Sequence, residues 1–336
     1  MILVSTVTPV FRGKEFLFEL ISALSALKEK WEMNGAPIQL HESIFVDDGS
    51  SDGSEAILRS LAEKFPFVKV LSLSRNFGQH PATIAGILHS SGDWIVTLDE
   101  DLQHRPELID VFFETGIQSD YSYDIVYGKS SEGVHSGSWR NLSSNGFKKI
   151  LSKLTRNPNI KKFSSYRLIR GSVARAASAV AIDQTYFDIA LSWFTLRATT
   201  AEIPMRDDRA KQSISSTYSF RRLLSHAWRM AQSSQVKFLR VGALLGLLSF
   251  VVGFLFAAAV VILKIISPET VGVDGWASIV VILLIIGGLN AFLSGLILEN
   301  ISGLVLQGHG KPKFFVVDRA GDEEIRLWFA AKEKDS

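Results

Sequence analysis

Asp99, Glu100, Asp101, Leu102 and Gln103 stand directly after an apolar run, residues 94–98, and just ahead of Arg105, Pro106 and Glu107. The run reads as a buried strand, and Pro106 suits the first turn of a helix. Three acids and an amide therefore sit where a strand hands over to a helix. In an open α/β sheet, ligands bind beyond the carboxyl ends of the strands. Acids spaced Asp-x-Asp on such a turn direct hard oxygen ligands at a divalent cation, with Mg²⁺ or Mn²⁺ the natural occupants. The competing reading is a solvated acidic loop, and the rest of the chain has to choose between them.

The elements that would position this turn follow a regular rhythm. Strands are expected at 2–7, 38–46, 68–73 and 93–98. Helices are expected at 14–33, where Phe16, Leu17, Leu20, Ile21, Leu24, Leu27 and Trp31 recur at helical spacing, at 54–65, and from 78 to about 90. Strands separated by helices in this way predict a doubly wound, mostly parallel sheet. Three strand ends then carry ligand-capable residues: Asp47 and Asp48, Arg75 and Asn76, and Asp99 and Asp101. In a parallel sheet those ends share one edge, so two acidic clusters and an arginine converge on one crevice. No Walker A or G-x-G-x-x-G stretch is present, so a phosphorylated ligand here needs a metal and arginines instead.

Composition narrows the class. The chain has 336 residues and a net charge of +2, which gives no global argument for nucleic acid. Cysteine is absent, which removes disulfides, thiolate metal sites and cysteine nucleophiles together. Hydrophobic residues make up 47%, high for a soluble enzyme, and the excess lies mostly after Phe238. The N-terminus opens as a strand with no basic region or cleavage site, so no signal peptide is expected.

The turns resemble a known family. Val46, Asp47, Asp48, Gly49, Ser50, Ser51 and Asp52, then Leu73 to Gly78, then Leu98 to Gln103 with Pro106 and Glu107, look like family 2 glycosyltransferases of the GT-A fold. Within that family the chain is most similar to the polyprenyl-phosphate glycosyltransferases, which include dolichyl-phosphate mannose synthases and bacterial undecaprenyl-phosphate glucosyltransferases. The resemblance implies a nucleotide site in which Pro9 and Phe11 flank the nucleoside and Glu15 or Asp48 holds the ribose or base. Asp47 stands beside them, with Arg75 near the nucleotide. It also implies that Asp99 and Asp101 hold a diphosphate-bound metal, with Gln103 a further ligand or a partner of one. Two departures stand out. The usual P-x-Y/F-N-E reads Pro9, Val10, Phe11, Arg12, Gly13, Lys14, Glu15, which shifts the acid, and the usual D-P-P-E reads His104, Arg105, Pro106, Glu107. His104 either touches a ligand or is a loop histidine at the surface.

Residues 128–137 are polar, glycine-rich and aperiodic, either a mobile loop able to close over substrate or a plain surface excursion. By resemblance, Arg140 faces an acceptor phosphate and Ser164 to Arg167 is a short strand ending in arginine, with Ser165 where a carboxylate often stands. Arg206 or Arg209 serves the same phosphate, just ahead of Ser215 to Ser219. Arginine suits this task because its planar fork meets phosphate oxygens in pairs and keeps its charge.

Downstream, Phe220, Leu223, Leu224, Ala227, Trp228 and Ala231 share a helical face opposite Arg221, Arg222, Ser225, His226 and Arg229, as in an amphipathic helix on a membrane surface. Residues 241–266 and 276–298 are apolar runs, and a bilayer core needs roughly 20 apolar residues in a helix. The connector at 267–275 contains no lysine or arginine, whereas basic residues flank both spans on their far sides. Both ends are therefore expected to face the cytoplasm. Asn290 is expected to pack between the two helices.

The chain is thus expected to divide into a cytoplasmic GT-A domain (1–212), an amphipathic juxtamembrane segment (213–240), a two-helix transmembrane hairpin (241–306) and a cytoplasmic tail (307–336). The expected protein lies in the cell (inner) membrane. It would move a sugar from a UDP- or GDP-hexose to undecaprenyl or dolichyl phosphate in one inverting displacement. Asp99, Asp101 and Arg140 would be central to catalysis, and the hairpin would offer a surface for homo-oligomers. A processive polysaccharide synthase would be expected to carry a Q-x-x-R-W stretch and more spans. An inactive membrane scaffold would have no need of the acidic turns.

Overall fold

The computed structural model describes residues 1–118, 121–130, 162–181, 186–204, 236–267, 275–308 and 321–335. They form two compact units, Met1–His226 with Pro312–Ser336, and Ala227–Lys311.

In the first unit, β1 (Ile2–Val10), α1 (Leu17–Met33), β2 (Ile38–Asp47), α2 (Ser54–Lys64), β3 (Val68–Ser72), α3 (Gln79–Leu88) and β4 (Trp94–Thr97) alternate as the hydrophobic pattern predicts. After a short 3₁₀ turn, Pro106–Leu108, come α4 (Ile109–Gly116), β5 (Ile117–Gln118), β6 (Tyr121–Ser122) and β7 (Ile125–Ser130). Then follow β8 (Arg167–Arg170), α5 (Gly171–Val180), α6 (Phe187–Phe194) and β9 (Ala198–Ile203). α1 forms because its apolar residues recur every three or four positions, and Leu17, Leu20, Ile21, Leu24, Leu27 and Trp31 are all buried. Burying each such side chain contributes about 1.5–3 kcal/mol.

The seven-stranded sheet runs β3-β2-β1-β4-β8-β7-β9. β1 pairs in parallel with β2 and with β4, and β2 with β3. The chain thus builds outward from β1 on one side, then crosses to place β4 on the other, which is a topological switch point. The sheet is mixed, because β8 runs antiparallel to both β4 and β7. The family resemblance implies a strand ending at Arg167, whereas the strand begins there. One face of the sheet is covered by α1, α2 and α4 around Trp31, Trp94 and Phe113, the other by α3, α5 and α6 around Ile87, Val173 and Leu191.

α9 (Asp322–Asp335) also belongs to the first unit, where the sequence reading had a plain tail. It buries Ile325 and Phe329, with Phe329 stacked on Phe113 at 6.3 Å between ring centroids. Asp322 accepts two 2.8 Å hydrogen bonds from the Arg170 guanidinium, which also bonds Asp124 and lies over Trp94.

The second unit contains α7 (Val236–Ile266) and α8 (Trp276–Gly308). They pack through Phe250 against Phe292 and a buried Gly288. Within α8, Ser278–Leu298 has a mean hydropathy of 2.5 over 21 residues, enough by length and composition to cross a membrane. The apolar stretch of α7, Phe250–Ile266, is shorter. Asn290 is exposed rather than set between the helices, because two positions beyond Gly288 turns it to the far side of α8. Most of the amphipathic segment at 213–240 and the connector at 268–274 lie outside the described residues.

Glu42, on β2, ties the sheet to the turn ahead of β4. It is 1% exposed and accepts hydrogen bonds from Ser5 Oγ and from the backbone N–H and Oγ of Ser91, with Lys69 as its ion-pair partner. Burial alone would raise its pKa, but Lys69 and these donors outweigh it and bring it from 4.5 down to about 2. Its stabilising contribution is therefore full above pH 4.5 and fades as pH falls toward 2, with a ceiling of about 3 kcal/mol. Glu42→Gln should be less stable than the wild type at pH 7, and the gap in thermal midpoint should narrow as pH falls through this window.

Candidate functional site

The carboxyl ends of β1, β2, β3 and β4 bring their exit turns together. β2 ends at Asp47, whose Oδ2 accepts from the Ser50 N–H at 3.2 Å, while Oδ1 is buried without a hydrogen-bond partner. Asp48 accepts from the backbone N–H groups of Phe77 at 2.7 Å and Gly78 at 2.8 Å, one on each oxygen. It thereby holds the β3–α3 turn against the β2 turn. Gly49 lies between them with φ +68°, and a Cβ there would come within 2.7 Å of the Arg75 carbonyl carbon. Arg75 is exposed, its guanidinium 4.0 Å from the centroid of the Phe77 ring.

The β1 exit approaches the acidic turn from the other side. Phe11 is 41% exposed, with the Arg12 guanidinium 5.2 Å from its ring centroid. Arg12 is held in the left-handed region at φ 61°, its N–H donating to Ser50 Oγ. Gly13 is packed so closely on Glu100 that a Cβ would meet the Glu100 Cγ at 2.6 Å. Glu15, just after this bend, is exposed.

Asp99 is held in place from two elements. Gln79, the first residue of α3, donates its amide to Oδ1 at 2.6 Å, and Ser165 donates its hydroxyl to Oδ2 at 3.1 Å. Asp101 accepts from the Gln103 N–H at 3.2 Å, and Leu102 between them is left-handed at φ 60°. That strain bends the turn so that Asp101 folds back toward Gln103. His104 is 5% exposed, not a surface residue. Its Nδ1 accepts the Asp99 backbone N–H at 3.0 Å, and its ring stacks on Tyr166. Burial, opposed by Asp99 and Asp101 and aided by Arg167, lowers its pKa, in keeping with a neutral ring that accepts at Nδ1.

Below Asp99 lies a cavity of about 260 Å³, lined among others by Pro9, Thr83, Asp99, Ser165, Arg167 and Tyr186. A second cavity, about 320 Å³, opens between Met1, Pro37, Glu324 and Trp328 at the amino end of the sheet, remote from every acidic turn.

Arg167 lines the cavity below Asp99, but its fork is engaged by the protein. It is 3% exposed, ion-paired with Asp188, and its Nε donates to Thr97 Oγ1 at 3.0 Å. Its guanidinium also lies 4.8 Å from the Phe187 ring centroid. An arginine at a strand start is readable in sequence; its buried carboxylate partner twenty-one residues on is not. Arg140, Arg206 and Arg209 lie outside the described residues, as does most of the 128–137 loop.

Sequence reasoning passed over Gln79, Ser165 as a donor to Asp99, and Asp188. Asp188 did leave a signal: it is the lone charge in the apolar helix α6, and a buried charge needs a partner.

The donor set suits Mg²⁺ or Mn²⁺. Asp99 and Asp101 are half-buried hard-oxygen groups, and among the described residues Asp99 takes its side-chain hydrogen bonds from neutral donors, which orient it without cancelling its charge. Among the described residues no three acids or histidines gather into a closed metal cage. Such a cation would take its remaining ligands from substrate oxygens and water, as Mg²⁺ commonly does.

Comparison with known proteins adds the following. The family model described as "Glycosyl transferase family 2" matches residues 5–176. The chain is 27% identical to the uncharacterized glycosyltransferase YkcC of Bacillus subtilis (strain 168), over 96% of each chain. It is 28% identical to the undecaprenyl-phosphate 4-deoxy-4-formamido-L-arabinose transferase of Edwardsiella ictaluri (strain 93-146), over 93% of each. Among solved structures, mannosyl-3-phosphoglycerate synthase from Rubrobacter xylanophilus aligns with a TM-score of 0.49 and 14% identity, covering 69% of this chain and 72% of that one.

The anchoring of Asp48 is directly testable. An amide at this position can accept on one side only, so Asp48→Asn should lose about 1–3 kcal/mol of stability, the cost of a buried polar group left unsatisfied. Thermal unfolding should show this loss in the absence of nucleotide; a ribose contact alone would leave the unfolding midpoint unchanged.

Proposed function

The chain belongs to glycosyl transferase family 2, and on that premise we propose that it transfers a hexose from a nucleotide sugar to a polyprenyl phosphate at a membrane. The observation that carries this reading is the placement of Asp99 and Asp101. They lie in the turn that leaves β4 at the β1/β4 switch point, with Asp99 lining a cavity and oriented by Gln79 and Ser165. The acceptor class is supported by relatives that span nearly the whole chain and are named as undecaprenyl-phosphate transferases. A membrane location is supported by the exposed apolar surface of both hairpin helices, which includes Phe254, Leu255, Ile262, Leu283 and Ile286. A continuous apolar surface of this kind seeks lipid or a partner.

In this reading Pro9, Phe11, Asp47 and Arg75 surround the nucleoside. The buried, unpartnered Asp47 Oδ1 awaits a donor such as a base N–H or ribose hydroxyl. Glu15, exposed beyond the bend, is the weaker of the acids for that task, and Asp48 positions the turn rather than the ribose. Asp99 and Asp101, with Gln103 beside them, hold the divalent cation, which when bound offsets charge on the departing nucleoside diphosphate. The anomeric carbon then faces the cavity, and an acceptor phosphate oxygen attacks it with inversion. A phosphomonoester has its second pKa near about 6 and is largely dianionic at neutral pH, so no side chain need remove a proton. Arg140, with Arg206 or Arg209, steadies the acceptor phosphate. The catalytic domain and both termini face the cytoplasm, and the hairpin anchors the chain and provides a surface for self-association.

Purified protein should convert one member of a nucleotide-sugar panel and undecaprenyl phosphate into a glycolipid of the summed mass. Asp101→Ala should lower that activity by about a hundredfold or more, because charge stabilisation of this type is worth several kcal/mol. Near-normal turnover would remove Asp101 from the metal site. Arg140→Ala should raise the KM for the lipid by about tenfold, the scale of one charge-assisted hydrogen bond, while nucleoside diphosphate affinity stays within twofold. Equal losses in both would place Arg140 elsewhere.

A further inference from the structure

The Arg167–Asp188 ion pair is buried on both sides, with Asp188 1% exposed. As a source of stability it is poor, since removing two charges from water costs nearly as much as their attraction returns. Its connections give it another use. Arg167 Nε donates to Thr97 Oγ1 at 3.0 Å; Thr97 Oγ1 donates to the Ser165 carbonyl at 2.6 Å; Ser165 Oγ donates to Asp99 Oδ2 at 3.1 Å. On the far side, Tyr127 OH donates to Asp188 Oδ1 at 3.1 Å. The six residues come from four separate places, β7, the end of β4 with its exit turn, β8 with its approach, and α6, so the chain of bonds locks the site edge across the sheet.

Each link has one geometry. Thr97 spends its proton on the Ser165 carbonyl, so it can only accept from Arg167. Arg167 keeps its charge because Asp188 more than offsets the cost of burying it. Tyr127 stays protonated and a donor, its pKa pushed up by burial and by Asp188. With these roles fixed, Arg167 and Thr97 hold the Ser165 backbone in place, and from that backbone the Ser165 hydroxyl reaches one oxygen of Asp99.

We propose that Asp188, at the wall of the cavity that Asp99 lines, is a positioning residue for the cation-binding carboxylate of Asp99, acting through Arg167, Thr97 and Ser165. This rests on the glycosyltransferase reading with its divalent cation. Residues that orient a metal ligand typically carry 10–100-fold of metal affinity or activity. Asp188→Asn keeps the shape and loses the charge that fixes Arg167. Thr97→Val breaks the chain without uncovering a buried charge, and so covers the case in which the Asp188 variant fails to fold.

The experiment measures Mn²⁺ binding to full-length protein in detergent with saturating UDP, by the loss of the free Mn²⁺ electron paramagnetic resonance signal. Activity and thermal unfolding are followed beside it. Each single variant should weaken Mn²⁺ binding by about tenfold, with the KM for undecaprenyl phosphate within twofold of wild type. The double variant should be no weaker than the worse single one, because both cut the same chain. Folded variants with wild-type Mn²⁺ affinity, or losses that multiply in the double variant, would overturn the relay. Absence of Mn²⁺ binding by the wild type would instead overturn the metal reading and the relay with it.

Discussion

β4 hydrogen-bonds to the side of β1 that β2 does not occupy, with Val7 opposite Thr97, and the chemistry of the molecule depends on that placement. A crossover that continued past β3 would have carried the acidic turn to the outer edge of the sheet, open to solvent on three sides. Returning beside β1 sets Asp99 next to Pro9 and opposite the first turn of α3, with a cavity beneath. The turn is then backed by protein on most sides. Among the described residues, the hydrogen bonds that orient the Asp99 carboxylate come from the neutral side chains of Gln79 and Ser165.

Close backbone packing turns that placement into a fixed site. The β2 and β3 turns meet where Gly49 leaves no room for a side chain, and Asp48 bonds two N–H groups across the junction. The β1 bend is pressed on Glu100 at Gly13 and strained at Arg12, while Leu102 accepts a left-handed conformation inside the acidic turn itself. Such strain costs of order 1–3 kcal/mol at each position and persists only where surrounding contacts over-determine it. Here those contacts are His104 on the Asp99 N–H and Tyr166 stacked behind it.

Sequence pattern carried the β1 to β4 half of the fold because each strand there holds a short run of β-branched or other apolar residues and the helices between them carry apolar residues at helical spacing. The three ligand-bearing turns were legible for the same reason: polar residues at strand ends stand out against the apolar runs just before them, such as 44–46 and 94–98. What failed was β8. Four residues with an arginine at each end look like surface, because the partners that allow burial, Asp188, Asp124 and Asp322, are brought together by the fold and not by spacing. His104 misled in the same way, as a polar residue in a loop whose burial comes from Tyr166, sixty-two positions later. The helix at 322–335 was hidden because only Ile325 and Phe329 of its apolar residues are buried, too few to mark a face.

β8 also explains how the two ends of the sheet are held. Residues three apart in a strand point to opposite faces, so Arg167 and Arg170 reach into different layers. Arg167 enters the layer of α6 and meets Asp188 near the ligand edge, while Arg170 enters the layer of α4 and α9 and meets Asp124 and Asp322 near the other. Two apolar residues in their place would fill the same layers but could not select a partner or a register. The arginines select both, since each fork must find its carboxylate or lie buried and uncompensated, which is strongly destabilising. A four-residue strand that runs against its neighbours has few backbone bonds with which to fix its position. Paired charges at its two ends supply the missing specificity, and the end nearer Asp99 is the one whose pose reaches the chemistry.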